Sequence, residues 1–73
     1  MDKQISLAQA RRGRGLTQRL LGLGADVPLG TICAVEAGYR RFSPEQKARI
    51  CRVLGIGESD ARLVRELAGE AGA

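Results

Sequence analysis

The chain has 73 residues, 44% of them hydrophobic but with only one Phe and one Tyr, which is enough for one domain with a small aliphatic core. Its net charge is +4. No apolar run approaches the roughly 20 residues that cross a bilayer, and the N-terminus lacks a signal-peptide pattern, so we expect a cytoplasmic protein without membrane contact. Cys33 and Cys51 are accompanied by no histidine, and no motif places a nucleophile beside a base, so we expect no metal, no cofactor and no enzymatic activity.

Helix-start and helix-stop residues predict two short helices in the first third of the chain. The first covers about residues 5–13 and ends at a glycine-rich stop with basic residues in its last turn. Thr17 is a typical N-cap for the second, which covers about residues 18–24 with Leu20 and Leu21 facing inward.

The third and fourth helices have clearer boundaries. Pro28 suits the first turn of the third helix, where a missing N–H costs nothing, and Gly38 stops that helix. Ser43 followed by Gln46 is a capping box for the fourth helix, which ends at Gly55.

A fifth helix is predicted over about residues 59–69, with Ser59 and Asp60 as its capping residues. Its apolar stripe is a candidate dimer surface, with closure of the monomer core as the alternative reading. The residues of this stripe named for dimerisation are Leu63, Val64 and Leu67. The whole chain is therefore expected to be a single all-α domain of five short helices, spanning residues 1–73.

The positive charge is segregated along the chain. Residues 1–24 hold five basic residues against one acidic residue, and residues 39–52 do the same, so each segment has a net charge of +4. Residues 25–38 and 53–73 each contribute −2. A nucleic-acid backbone is a natural partner for two basic segments, and a solvated surface is the alternative.

Two short helices joined by a tight turn, over about residues 17–37, have the pattern of a helix-turn-helix. With its flanking residues, the sequence from about 5 to 57 resembles the lambda-repressor and Cro family, the Xre-type regulators. The resemblance is carried by Gly15-Leu16-Thr17-Gln18, Leu21, Val27, Thr31-Ile32, Val35-Glu36, Gly38 and Leu54-Gly55-Ile56.

The chain departs from that family at four positions. Gly22 replaces an alanine that is common in the second helix, and Asp26 replaces the usual turn glycine while tolerating a left-handed conformation. Pro44 and Lys47 occupy positions that are commonly apolar, which implies a smaller core and a domain that gains stability from a partner.

The resemblance implies two sets of roles other than base reading. Arg11 and Glu36 fall on positions that form a partly buried ion pair in that family. Such pairing is physically reasonable, because either charge would be costly to bury alone. The resemblance also implies contacts to DNA phosphates from two places. At the start of the second helix these come from Gln18 and Arg19, and in the loop after the third helix they come from Tyr39, Arg40 and Arg41.

The third helix would be the helix that contacts the bases, yet few of its side chains can hydrogen-bond a base edge. Its candidate base-reading residues are Pro28, Leu29, Gly30, Thr31, Cys33 and Ala34, followed by Ala37. None is Arg, Asn or Gln, the side chains that pair with bases through two hydrogen bonds. We therefore expect few direct contacts to bases, with most of the sequence specificity coming from DNA shape.

The resemblance therefore implies a double-stranded DNA-binding regulator, a homodimeric repressor at an inverted-repeat operator, of the kind that serves phages, plasmids or toxin–antitoxin loci. For a domain of this size we expect no small-molecule effector. The alternative function is a protein-interaction module, such as an antitoxin or accessory subunit, whose apolar third helix packs against another helix.

Overall fold

The structure is a computed structural model that describes residues 4–68, apart from the side chain of Glu58. No strand occurs among these residues, and the predicted all-α class is confirmed. None of the helices in this range is both long and apolar enough to span a membrane. The helices are α1 (Leu7–Gly13), α2 (Gln18–Ala25), α3 (Leu29–Glu36), α4 (Pro44–Leu54), α5 (Glu58–Ala61) and α6 (Arg65–Ala68).

Local capping signals set the starts of three helices. The hydroxyl of Thr17 caps α2, and Ser43 with Gln46 forms a reciprocal capping box at α4, as the sequence predicted. The first helix starts later than predicted, because Ser6 and Gln9 form a second capping box in front of it. Each of these side chains satisfies a backbone amide that the first helical turn leaves without a partner.

The connection between α2 and α3 is short and fixed from both sides. Asp26 adopts the predicted left-handed conformation, with φ +57°. The Nε of Arg49 on α4 donates a hydrogen bond of 2.8 Å to the carbonyl of Ala25, at the end of α2. Pro28 is the residue before α3 and not in its first turn, and it keeps an extended backbone.

Gly22 lets the connection fold back against α2. A Cβ at this position would lie 2.7 Å from the carbonyl oxygen of Val27 and 3.6 Å from Cγ1 of Ile32. The amide of Val27 in turn donates a 2.9 Å hydrogen bond to the carbonyl of Gly22. The glycine therefore permits a backbone contact that a side chain would obstruct.

The hydrophobic core is aliphatic, and α2 contributes one face to it by packing against α3 and α4. Leu21 is fully buried, but Leu20 is 49% exposed, so the prediction that both face inward was wrong for Leu20. The inward face of α2 is set by Leu21 and Ala25, four residues apart, and Leu20 lies off that line. The buried apolar residues are Leu7, Leu21, Ala25, Val27, Ile32, Val35, Ile50, Cys51, Leu54, Ala61, Val64 and Leu67.

The predicted fifth helix is interrupted in its middle. The amide of Ile5 donates to the carbonyl of Leu63 at 2.9 Å, and the amide of Arg65 donates to the carbonyl of Ile5 at 2.8 Å. This parallel bridge between Ile5 and Val64 takes the backbone groups that a continuous helix would use. The segment is therefore divided into α5 and α6, and Gly57, not Ser59 or Asp60, is the N-cap of α5.

The stripe named for dimerisation is mostly part of the core. Val64 is 3% exposed and Leu67 is 1% exposed, whereas Leu63 is 42% exposed. Val64 and Leu67 are buried because the bridge to Ile5 turns them toward α1. They close the monomer core, which was the alternative reading, and they lack the exposure that the predicted dimer surface requires.

Candidate nucleic-acid interface

The exposed face of α3 carries no charged side chain. Leu29 is 46% exposed, Gly30 and Cys33 are exposed, and Ala34 is half-buried. Pro28 precedes them on the same exposed edge. Five of the six predicted base-reading residues therefore reach the surface at least in part.

Thr31 does not belong to this face. It is 6% exposed, on the buried side of α3 with Ile32 and Val35. Its hydroxyl accepts a hydrogen bond of 3.4 Å from Nη1 of Arg40. Thr31 therefore does not lie on the exposed surface that the prediction of base reading requires, and its side chain instead holds an arginine of the loop after α3.

The ion pair implied by the resemblance is present. Nε of Arg11 donates to Oε2 of Glu36 at 2.8 Å, and Nη2 donates to Oε1 at 3.2 Å. The side chains are only 8% and 10% exposed. A further bond of 2.9 Å from Nη1 of Arg11 to the carbonyl of Leu16 joins the end of α1 to the start of α2. The pair thus fixes α1, α2 and the end of α3 together.

The pKa values of both partners shift in the direction of the charged forms. The hydrogen bond to Glu36 raises the pKa of Arg11, against the opposing effect of burial. Burial alone would raise the pKa of Glu36, but the hydrogen bonds from Arg11 and Gln18, together with nearby positive charge, hold it below its usual range. The pair therefore remains ionised at neutral pH.

Gln18 extends this network to α3. Its Nε2 donates to Oε1 of Glu36 at 3.0 Å, and its Oε1 accepts from Sγ of Cys33 at 3.3 Å. The contact between Gln18 and Cys33 was not foreseen, because a thiol and an amide 15 residues apart give no local sequence signal. The side chain of Gln18 is consequently held at the junction of α2 and α3, and its second amide hydrogen has no acceptor within residues 4–68.

The start of α2 also offers free backbone donors. The hydroxyl of Thr17 accepts from the amide of Leu20 at 3.0 Å. The amides of Gln18 and Arg19 have no acceptor among the described residues. Because these amides sit at the positive end of the helix dipole, this helix start favours an anion beside the Gln18 side chain.

Cationic side chains flank the other end of α3. Arg40 and Arg41 follow that helix in an exposed loop, and Tyr39 beside them is 84% exposed. Arg19, at the start of α2, is exposed as well. The uncharged face of α3 therefore lies between two groups of hydrogen-bond donors, one at α2 and one in the loop of residues 39–42.

Comparisons with protein-family models, with curated proteins and with solved structures found no match to this chain. The described residues contain no cluster of three His, Cys, Asp or Glu side chains that could hold a metal ion. The assignment of a function consequently rests on the geometry of α2, α3 and the loop that follows them.

Proposed function

We propose that this chain is a double-stranded DNA-binding protein of the helix-turn-helix type, in which α2 and α3 are the two helices of the motif and α3 enters the major groove. The observation that carries the proposal is the uncharged, exposed face of α3 between two sets of phosphate-binding groups. A helix in the major groove needs this arrangement, since the backbone strands run along both sides of it.

The phosphate contacts would come from two directions. On one side, the free amides at the start of α2 and the remaining hydrogen of the Gln18 amide bind one strand, with Arg19 beside them. On the other side, Arg40 and Arg41 bind the opposite strand, and Tyr39 adds a hydroxyl. The hydrogen bond to Thr31 keeps Arg40 close to α3 and limits its conformational freedom.

Base discrimination would be modest. Leu29 and Ala34 offer apolar contacts to thymine methyl groups, and Gly30 allows the helix backbone to approach the base edges. The thiol hydrogen of Cys33 is directed to Gln18, which leaves its sulfur as a weak acceptor only. Specificity then depends on DNA shape and on pairing two such domains.

A homodimer on an inverted repeat would provide that pairing, with two α3 helices about 34 Å apart on the DNA. Occupying an operator and excluding polymerase is the simplest regulatory action for such a dimer, so we propose a repressor. Its dimer surface must differ from the buried Val64 and Leu67.

The test is a selection of random duplex DNA by the purified protein, sequenced and repeated at low and near-physiological salt. We expect enrichment of an inverted repeat that persists at the higher salt, because phosphate contacts alone weaken steeply with salt while base and shape recognition do not. Enrichment of nothing, or binding that disappears with salt, would overturn the proposal of a sequence-specific regulator.

A second candidate function follows from exposed leucines. Leu20 and Leu23 on α2 are 49% and 71% exposed, and Leu29 on α3 is 46% exposed. Such side chains are typical of a surface that packs against a partner helix. If the DNA selection fails, a protein-interaction module becomes the better proposal, and replacement of Leu23 by Gln should then abolish partner binding.

A further inference from the structure

A concavity of about 390 Å³ lies beside the end of α3, outside its exposed face. Its walls come from three parts of the chain: the end of α3 with the following loop, the first turns of α4, and α6. The charged residues that line it are Glu36, Arg40, Arg41, Lys47, Arg65 and Glu66.

The two carboxylates in this concavity are already engaged. Glu36 is bonded to Arg11 and Gln18. Oε1 of Glu66 accepts a hydrogen bond of 2.7 Å from the amide of Leu7, at the start of α1. Neither carboxylate forms an ion pair with the cations that line the concavity, because Arg11–Glu36 is the sole ion pair within residues 4–68.

Three of the cations have no partner among the described residues. The side chains of Arg41, Lys47 and Arg65 form no hydrogen bond and no ion pair there, whereas Arg40 is bonded to Thr31. These three residues come from a loop, from α4 and from α6, so the fold, and not sequence proximity, brings their charges together. Arg11 balances the charge of Glu36, so Glu66 is the one uncompensated carboxylate among the described residues that line the concavity, and the cations outnumber it. An anion would relieve the repulsion that remains among these cations.

We propose that this concavity is a phosphate-binding site, with Arg41, Lys47 and Arg65 as its ligands. A phosphate offers several acceptor oxygens, and it matches both the forked donors of arginine and the point charge of lysine. Two sources carry this group: a DNA backbone phosphate beyond the groove that α3 enters, and a free phosphorylated small molecule. The site itself does not depend on DNA binding, although the first of these sources rests on the proposed function.

The first experiment titrates ¹⁵N-labelled protein with pyrophosphate and follows the backbone amides of Gly38 and Leu67, which line the concavity. The test variant is Lys47→Gln/Arg65→Gln. The matched control is Arg52→Gln/Arg62→Gln, which removes the same charge from exposed residues that do not line the concavity. We expect saturable shifts in the wild type and the control, and binding at least roughly fivefold weaker in the test variant, as loss of charge-assisted hydrogen bonds implies. Absence of saturable shifts, or equal weakening in both variants, would overturn the site.

The second experiment distinguishes the sources. The salt dependence of binding to a selected duplex is compared between the test variant and the control. If the phosphate belongs to DNA, the negative slope of log K against log salt should become shallower by about 0.9 in the test variant alone, as loss of one phosphate contact requires. An unchanged slope, together with pyrophosphate binding, assigns the site to a free phosphorylated molecule. If no duplex is selected at all, the proposed function fails while the pyrophosphate titration still decides the site.

Discussion

The guanidinium of Arg11 forms two hydrogen bonds with the carboxylate of Glu36, and together these groups join the end of α1 to the end of α3. Because Gln18 and the carbonyl of Leu16 bond to the same pair, the start of α2 is held by it as well. The orientation of α3 relative to α2 is therefore fixed by a buried ionic group in addition to apolar packing. The exposed face of α3 depends on that orientation.

Replacing Arg11 by Ala should lower the free energy of unfolding by about 3 kcal/mol, because it leaves the carboxylate of Glu36 buried without its partner. Urea denaturation followed by circular dichroism measures the change. Arg12→Ala is the control, since the adjacent arginine is exposed and forms no ion pair with a described residue. Equal midpoints for the Arg11 and Arg12 variants would contradict a structural role for the pair.

Stability should also decrease in acid through Glu36. Its pKa is lowered in the folded chain, so the unfolded chain binds the proton more readily, and the contribution of Glu36 is complete above the ordinary glutamate pKa. It is lost as the pH falls through the lower folded value. The wild type should therefore exceed Glu36→Gln in urea midpoint near neutral pH, and this difference should shrink toward about pH 3. A difference that stays constant over this range would show that ionisation of Glu36 does not contribute.

Features specified by neighbouring residues could be predicted from the sequence. The pair Ser43 and Gln46 is only three residues apart, and the left-handed Asp26 follows from its own short side chain. Thr31 could also have been placed correctly, because it precedes the inward-facing Val35 by four residues and so lies on the same side of α3. Its classification as a base-reading residue overlooked that spacing.

Contacts between distant segments could not be predicted in this way. The bridge between Ile5 and Val64 joins residues 59 apart, and no local pattern indicates that it divides the last helix. The phosphate-binding concavity likewise depends on how α6 packs beside the loop that carries Arg41. The Arg11–Glu36 pair was expected only because of the family resemblance, since a spacing of 25 residues has no meaning for a single helix.

Gly22→Ala should destabilise the chain by about 1–3 kcal/mol, although alanine favours helices, because the new Cβ would lie 2.7 Å from the carbonyl oxygen of Val27. That oxygen belongs to the backbone, so it can shift only if the connection between α2 and α3 moves with it. Gly30→Ala is the matched control, since a Cβ at this position of α3 meets no atom within 4 Å. We expect the control to be neutral or slightly stabilised in urea denaturation. If both variants unfold at the same midpoint, the close approach at Gly22 has no energetic consequence.

Arg41→Ala should weaken binding to every duplex by a similar factor. It should also make the negative slope of log K against log salt shallower by about 0.9, as expected when one phosphate contact is lost. Arg52→Ala is the control with the same loss of charge, on an exposed position of α4 outside the proposed interface. Fluorescence anisotropy with selected and unrelated duplexes at several salt concentrations measures both effects. A slope that decreases equally in both variants would assign the effect of Arg41 to net charge alone.

Leu29 and Thr31 should affect DNA binding in different ways. Leu29 is exposed on α3, so Leu29→Ala should change which sequences bind best, by about 1 kcal/mol between preferred and competing duplexes. Thr31→Val removes the acceptor for Arg40 while leaving the exposed face of α3 intact, so it should weaken all duplexes alike. Thr31→Ser keeps the hydroxyl and serves as the control for the loss of that bond. Competition binding with a panel of duplexes measures the ranking, and a changed ranking in Thr31→Val with unchanged overall affinity would mean that Thr31 reads bases after all.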